Sequence, residues 1–218
     1  TGVQTCALPI FSGGTTTFNS TTQLAGTGSN VTVNGGTLAL NGTTTWNGGS
    51  VGTFALSSGT VNGSGAFDIT GSGGAFNWSG GTIGGSGTLT TNTGITATMS
   101  TGALTLERPW IAANGFTMNN PATLAINNNG TTTFGKLTNK GTATISSSAA
   151  NTISGTGALV NDGPVLAIQL PASGTTTISS LLDLVSGDIS ISGGATLNVT
   201  GGASTGQTQS GRFLTNAG

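Results

Sequence analysis

From Phe11 onward, apolar and polar residues alternate in short bursts: Asn30-Val-Thr-Val33, Thr37-Leu-Ala-Leu40, Ala66-Phe-Asp-Ile69, Ala75-Phe-Asn-Trp78, Thr123-Leu-Ala-Ile126 and Thr196-Leu-Asn-Val199. Alternation with a period of two, rich in Thr, Val and Ile, predicts short half-buried β-strands. The bursts end at Gly or at Asn-Gly, as at Asn34-Gly35, Asn41-Gly42, Asn47-Gly48, Asn62-Gly63, Asn114-Gly115 and Asn129-Gly130. Both residue types accept left-handed backbone angles and turn the chain at low cost. No segment carries the apolar stripe of a helix, so essentially no helix is expected.

Strand centres recur too closely for a typical sandwich. A longer period lies above that one. Gly-Thr-Thr-Thr followed by an apolar residue occurs at Gly42–Trp46, Gly130–Phe134 and Gly174–Ile178. The offsets between these matches are four and two times a step of ~22 residues, within the range of solenoid repeats. Steps of that size, with one position of slack, align Trp46, Phe67, Leu89, Ile111, Phe134, Ile178 and Val199, with a gap at Gly155-Thr-Gly157. A fourth match, Gly14–Phe18, is out of phase. Three short strands per coil of about 22 residues describe an all-β fold, a parallel β-helix or β-solenoid, in which inward side chains stack in columns. At a rise of ~4.8 Å per coil, residues 11–218 would make about nine or ten coils, a rod of roughly 45 Å.

Composition then narrows the chemistry. Gly, Thr, Ser and Asn make up 125 of the 218 residues, whereas charged residues are 4%. Such a chain could stay unfolded, but it is nearly uncharged, has a mean hydropathy of +0.15, and patterns its apolar residues. Charges stacked in register would repel one another, which suits a charge-poor solenoid. With no His, there is no Ser-His-Asp relay and no His-ligated zinc site. Four basic residues are too few for a nucleic-acid stripe. No apolar run reaches the length of a membrane helix.

Thr1–Ile10 (TGVQTCALPI) differs from everything downstream and resembles the conceptual translation of a sequencing adaptor. On that reading residues 1–10 are an artefact, and residues 11–218 are one solenoid fragment of a longer repeat protein. Cys6, the only cysteine, then belongs to the artefact.

A competing rhythm spaces Trp46, Trp78 and Trp110 evenly, with Trp46-Asn-Gly-Gly-Ser-Val51 and Trp78-Ser-Gly-Gly-Thr-Ile83 sharing W-x-G-G-x-[V/I]. These segments resemble the short repeats of bacterial autotransporter passengers and, more broadly, surface β-helices of the filamentous-haemagglutinin type. The likeness covers residues 35–100 and is compositional elsewhere. It implies an exported stalk or adhesin on the bacterial cell surface, with host-cell or matrix glycans or proteins, or neighbouring coils of the parent chain, as partners. It supplies no catalytic residues to carry over.

The acids are Asp68, Glu107, Asp162, Asp183 and Asp188. Lys140, Asp162 and Asp183 follow one another at close to the coil spacing and could stack on one face. Asp162 and Asp183 would then form a carboxylate pair or part of a calcium site; the plainer reading is an exposed Lys140–Asp162 ion pair with Asp183 incidental. Glu107-Arg108-Pro109-Trp110 reads as a protruding binding loop or as an irregular turn whose Trp110 covers the core. Asp162-Gly-Pro164 through Pro171 reads as irregular corners, since Pro cannot donate to a ladder. The glycine runs complete neither G-x-G-x-x-G nor a calcium nonapeptide. No catalytic, cofactor or metal site is therefore assigned. The expected function is structural or adhesive without catalysis. A carbohydrate-binding or carbohydrate-active β-helix would need a groove lined by Trp, Asp and Arg. An ice-binding solenoid would need Thr on consecutive coils, whereas the Thr triplets fall on non-adjacent ones with Asp68 and Pro109 near their column.

Overall fold

The computed structural model describes residues 9–119, 122–128, 135–146, 150–169, 174–192, 195–204 and 214–217. Among these residues every regular element is a strand and every inter-strand pairing is parallel. The chain winds as a β-solenoid of about eight turns, each supplying one strand to each of three walls.

The first wall is a nine-stranded sheet running from Thr15–Phe18 through Thr37–Leu40, Thr60–Asn62, Gly81–Ile83, Gly102–Leu106, Ala122–Ile126, Asn151–Ser154 and Thr175–Ile178 to Thr196–Val199. The second wall includes Thr44–Asn47, Phe67–Thr70, Leu89–Thr91, Pro109–Ala112 and Lys136–Asn139. The third includes Val31–Val33, Thr53–Leu56, Ala75–Trp78, Thr96–Met99, Thr117–Asn119 and Thr142–Ser146. Two long strands, Ala158–Gln169 and Leu181–Ser192, run through both of these walls and fuse them into a 17-stranded sheet. The register between these two strands shifts around Asp162, so the corner survives as an irregularity rather than a break.

The inward columns follow from the alternation. Leu38, Val61, Ile83, Leu106 and Ile126 stack along the first wall, and Phe67, Leu89, Trp110, Leu137, Leu159 and Leu182 along the second. All of them are buried. Within the bore, ring contacts link Trp46 to Phe54 and Phe54 to Phe67 and Phe76. They continue from Phe76 to Trp110, which also meets Trp78 and Phe116, at centroid distances of 5.1–6.3 Å. Each buried indole N–H has an acceptor: Ser29 O for Trp46, Gly80 O for Trp78 and Thr91 Oγ1 for Trp110. Those acceptors let a residue with a polar edge sit fully inside.

The coil period is an average. The turn from Thr15 to Thr37 has the expected length, the turn from Thr98 to Thr117 is three short of it, and the turn from Thr123 to Thr152 exceeds it by seven. The long turns leave about eight coils rather than nine or ten, so the nine-stranded wall is roughly 38 Å tall.

Uneven turns also redistribute the expected column. Trp46 stands beside Ile69, and it is Thr44 that faces Phe67. Trp110 occupies the inner column, and Ile111 is half-buried on the outer side beside Thr90. Ile178 and Val199 do pair, but on the first wall; Phe134 lies outside the described residues. The Thr triplets divide likewise: Thr15–Phe18 and Thr175–Ile178 belong to the first wall and Thr44–Asn47 to the second, while Gly130–Phe134 is outside the description. The even tryptophan rhythm is not a coil period, because Trp46 and Trp110 sit on the second wall and Trp78 on the third.

At the Asn34-Gly35, Asn62-Gly63 and Asn114-Gly115 corners the left-handed residue is the glycine (φ +98°, +114° and +82°), whereas Gly42 and Gly48 are not left-handed; Ala25 is the one non-glycine with positive φ among the described residues. Pro9 and Ile10 join the stack, since Pro9 O accepts the Thr32 N–H and Ile10 pairs with Thr32. Cys6 lies outside the described residues.

Candidate functional site

The outer side of the first wall is the most regular surface of the molecule. Thr15, Thr37, Thr60, Thr82 and Thr105 are register partners on five consecutive coils, followed by Ala125 and Ser154. Beside them, Thr123, Thr152 and Thr177 form a second ladder on the next three coils, continued by Asn198. Thr suits this position because its branched side chain fits a pleated surface without needing burial. Asp68 and Pro109 lie on the second wall, not among these threonines. That removes the objection raised by the triplets. The regularity was hidden because the ladder is built from single threonines with variable spacing, most of them outside any triplet.

Charges lie elsewhere. Asp68 and Asp183 share an outer column of the second wall but are five coils apart, roughly 24 Å. Asp162 is opposite Ser186, and Asp183 is opposite Val160, so the expected Asp162–Asp183 stack does not form. The cause is coil length: Asn161 already faces Leu184 ahead of the bulge, so Asp183 falls short of Asp162 before the register shifts. Asp188 is opposite Val165, and Glu107 is half-buried at the corner leaving the first wall. No group of three metal-ligating side chains exists among the described residues.

Lys140 and Asp162 do meet, as an ion pair of 2.5 Å on adjacent coils. The hydrogen bond from Lys140 holds the Asp162 carboxyl below the usual carboxylate range. A depressed carboxylate pKa stabilises the fold above the unfolded value and loses that contribution as pH falls through the folded one. Because both side chains are substantially exposed, Asp162→Asn should cost less than about 1 kcal/mol at neutral pH. Urea titrations of the two proteins should therefore differ slightly at neutral pH and converge in acid. A gap that persists in acid would assign the difference to something other than this charge.

The Glu107–Trp110 segment is not a protruding loop. Trp110 is buried, Pro109 opens a strand where its missing N–H costs little, and Arg108 points inward. Arg108 Nε donates to Gly87 O and Nη2 to Gly65 O at 2.6 Å, so one guanidinium ties three successive coils together. Burial lowers its pKa to about 10, and Nη1 has no partner. The sequence singled out this segment by its charges, whereas its role is internal. The only hint was that Gly87 and Gly65 precede Arg108 by one and two coil lengths.

A second internal device also went unpredicted. Asn139 Nδ2 donates to Asn161 Oδ1 at 2.7 Å, and Asn161 Nδ2 donates to Ser186 O at 2.8 Å. The two amides, both buried, satisfy the backbone at the corner between the second and third walls. They stand exactly one coil apart in sequence, a signal lost in a chain rich in asparagine. A small outer notch of about 90 Å³, lined by Thr96, Asn114, Gly115, Phe116 and Thr142 among others, marks the shortest turn.

Comparison with family models, curated proteins and solved structures returns no match. No helix among the described residues is long and apolar enough to cross a membrane.

Proposed function

We propose that this chain is a structural and adhesive segment of a secreted bacterial surface protein, built like an autotransporter or haemagglutinin stalk and without catalysis. The observation that carries the reading is a continuous solenoid whose acidic side chains are dispersed instead of converging on a cleft. The three tryptophans and Arg108, which a carbohydrate groove would display, are all inside the bore. Purified chain applied to immobilised matrix glycoproteins and to polysaccharides tests the reading. Saturable binding that survives Asp162→Ala and Asp183→Ala, without release of reducing ends, is expected. Polysaccharide cleavage abolished by either substitution would defeat it.

The Thr15–Thr37–Thr60–Thr82–Thr105 ladder favours a second reading, binding to ice. Methyl and hydroxyl groups repeated at the coil rise of ~4.8 Å present a regular template to water. Thermal hysteresis lost on Thr60→Lys/Thr82→Lys would support it, and absence of hysteresis in the parent chain would remove it.

A further inference from the structure

The five described Asn-Gly corners share a dipeptide but not an environment. At three of them the glycine N–H is committed to backbone: Gly42 to Phe18 O at 3.1 Å, Gly48 to Thr70 O at 2.8 Å and Gly115 to Ala112 O at 3.1 Å. The side chains of those asparagines are engaged too. Asn41 Nδ2 donates to Asn19 Oδ1, Asn114 Nδ2 donates to Ile95 O, and Asn47 Oδ1 accepts the Gly49 N–H.

Asn34-Gly35 differs in its backbone and in the kind of bond its side chain makes. Asn34 is exposed, and among the described residues the Gly35 N–H donates to no acceptor. The carboxamide oxygen of Asn34 accepts the Ser58 hydroxyl from the next coil at 2.9 Å, which leaves Nδ2 without an acceptor. At Asn62-Gly63 the N–H is likewise unused, but Asn62 is half-buried, no hydroxyl reaches its carbonyl, and Gly63 is pressed against the Leu40 backbone.

We infer that Asn34 is a self-modification site, converted to aspartate and isoaspartate through a succinimide, with the Ser58 hydroxyl as the group that promotes it. The Gly35 nitrogen attacks Asn34 Cγ, forming the ring N–Cγ bond. As charge develops on Oδ1, the Ser58 O–H stabilises it, as a donor placed at an oxyanion does. The Cγ–Nδ2 bond then breaks, and Nδ2 leaves as ammonia carrying the proton lost by Gly35. Solvent water adds to either ring carbonyl and opens the succinimide. Overall, one water is consumed and one ammonia released. The product adds a negative charge to a chain of net charge −1. In its isoaspartate form it also inserts a methylene into the backbone at the corner where Asn34 N and Gly36 N bond to Phe11 O. The first coil is thereby loosened.

Peptide mapping by mass spectrometry, with isoaspartate-specific methylation, follows all five sites during incubation of the full chain at mildly alkaline pH. Asn34 should convert fastest in the folded chain, and the five rates should draw together in urea. Ser58→Ala should slow conversion at Asn34 several-fold without changing the other sites, whereas Ser58→Thr, which keeps the hydroxyl, should retain it. Equal rates at Asn34, Asn41, Asn47 and Asn114 in the folded chain would overturn the assignment. An unchanged Asn34 rate in Ser58→Ala, with Ser58→Thr also unchanged, would overturn the role of the hydroxyl.

Discussion

Gly87→Ala is expected to destabilise the solenoid by about 3 kcal/mol or more, at the upper end of overpacking effects. A Cβ at Gly87 would fall on the carbonyl of Gly65 in the coil below and on Nη2 of Arg108. Neither can retreat: the Gly65 carbonyl is backbone, and Arg108 is held by the bonds to Gly65 and Gly87 that tie the coils together. Separating the coils to admit the methyl group also leaves those two carbonyls short of a donor, and each orphaned buried acceptor costs about 1–3 kcal/mol. Gly13→Ala is the matched control, because a Cβ there meets nothing within 4 Å, and its effect should stay within about 0.5 kcal/mol. Denaturant unfolding of both variants reads the difference. Equal midpoints would mean that the glycines at this corner are not there to let coils approach.

Trp110→Ala should cost about 3–5 kcal/mol, the range for truncating a buried tryptophan or phenylalanine. Its ring touches Phe76, Trp78 and Phe116, so truncation opens a void where aromatic contacts from two walls converge. It also removes the donor to Thr91 Oγ1, a buried hydroxyl. Ile111→Ala, one position further along and half-buried on the outside, should cost under about 1.5 kcal/mol. This pair of variants separates two registers. A strictly even coil step places Ile111 inside, whereas the structure places Trp110 there. A larger loss from Ile111→Ala than from Trp110→Ala would reverse the assignment, and thermal unfolding is sufficient to see it.

What the chain discloses by its sequence and what it conceals have the same origin. Short alternating bursts such as Thr37–Leu40 and Ala75–Trp78 announce strands, and their close spacing excludes longer antiparallel layers, so a stacked parallel architecture with three strands per coil is legible. The phase of the stack is not legible, because turns as unequal as Thr98 to Thr117 and Thr123 to Thr152 let the register wander while each strand keeps its alternation. Threonine adds a further ambiguity. Thr44, Thr91 and Thr176 are buried, whereas Thr15, Thr37 and Thr60 line the outer wall, and nothing in the residue type distinguishes them. Arg108 is the strongest departure from composition-based reasoning. A guanidinium beside an aromatic and a proline looks like a surface loop, yet backbone carbonyls exposed by the absent side chains of Gly65 and Gly87 provide its internal acceptors.

The carboxylates misled for a related reason. The coil spacing from Lys140 to Asp162 holds, and the two form the ion pair. The similar spacing from Asp162 to Asp183 fails, because the next coil is longer: Asn161 faces Leu184, and Asp183 stands opposite Val160 before the bulge at Asp162 is reached. A fixed one-dimensional period cannot follow coils of unequal length. On the first wall a threonine stands at every register position from Thr15 to Thr105, so the ladder holds despite the unequal steps from Thr37 to Thr60 and from Thr60 to Thr82.

The in-register parallel stack is tested most directly by electron–electron spin distances along the first wall. With Cys6 replaced by Ser, labels at Thr15 and Thr82 span three coils, and labels at Thr15 and Ser154 span six. At ~4.8 Å per coil, backbone separations of roughly 14 and 29 Å are predicted, in the ratio of the coil counts. Narrow distributions at those two values would match the winding described here. A shorter distance for the Thr15–Ser154 pair than for Thr15–Thr82, as opposed antiparallel layers would give, or a broad featureless spread, would contradict it.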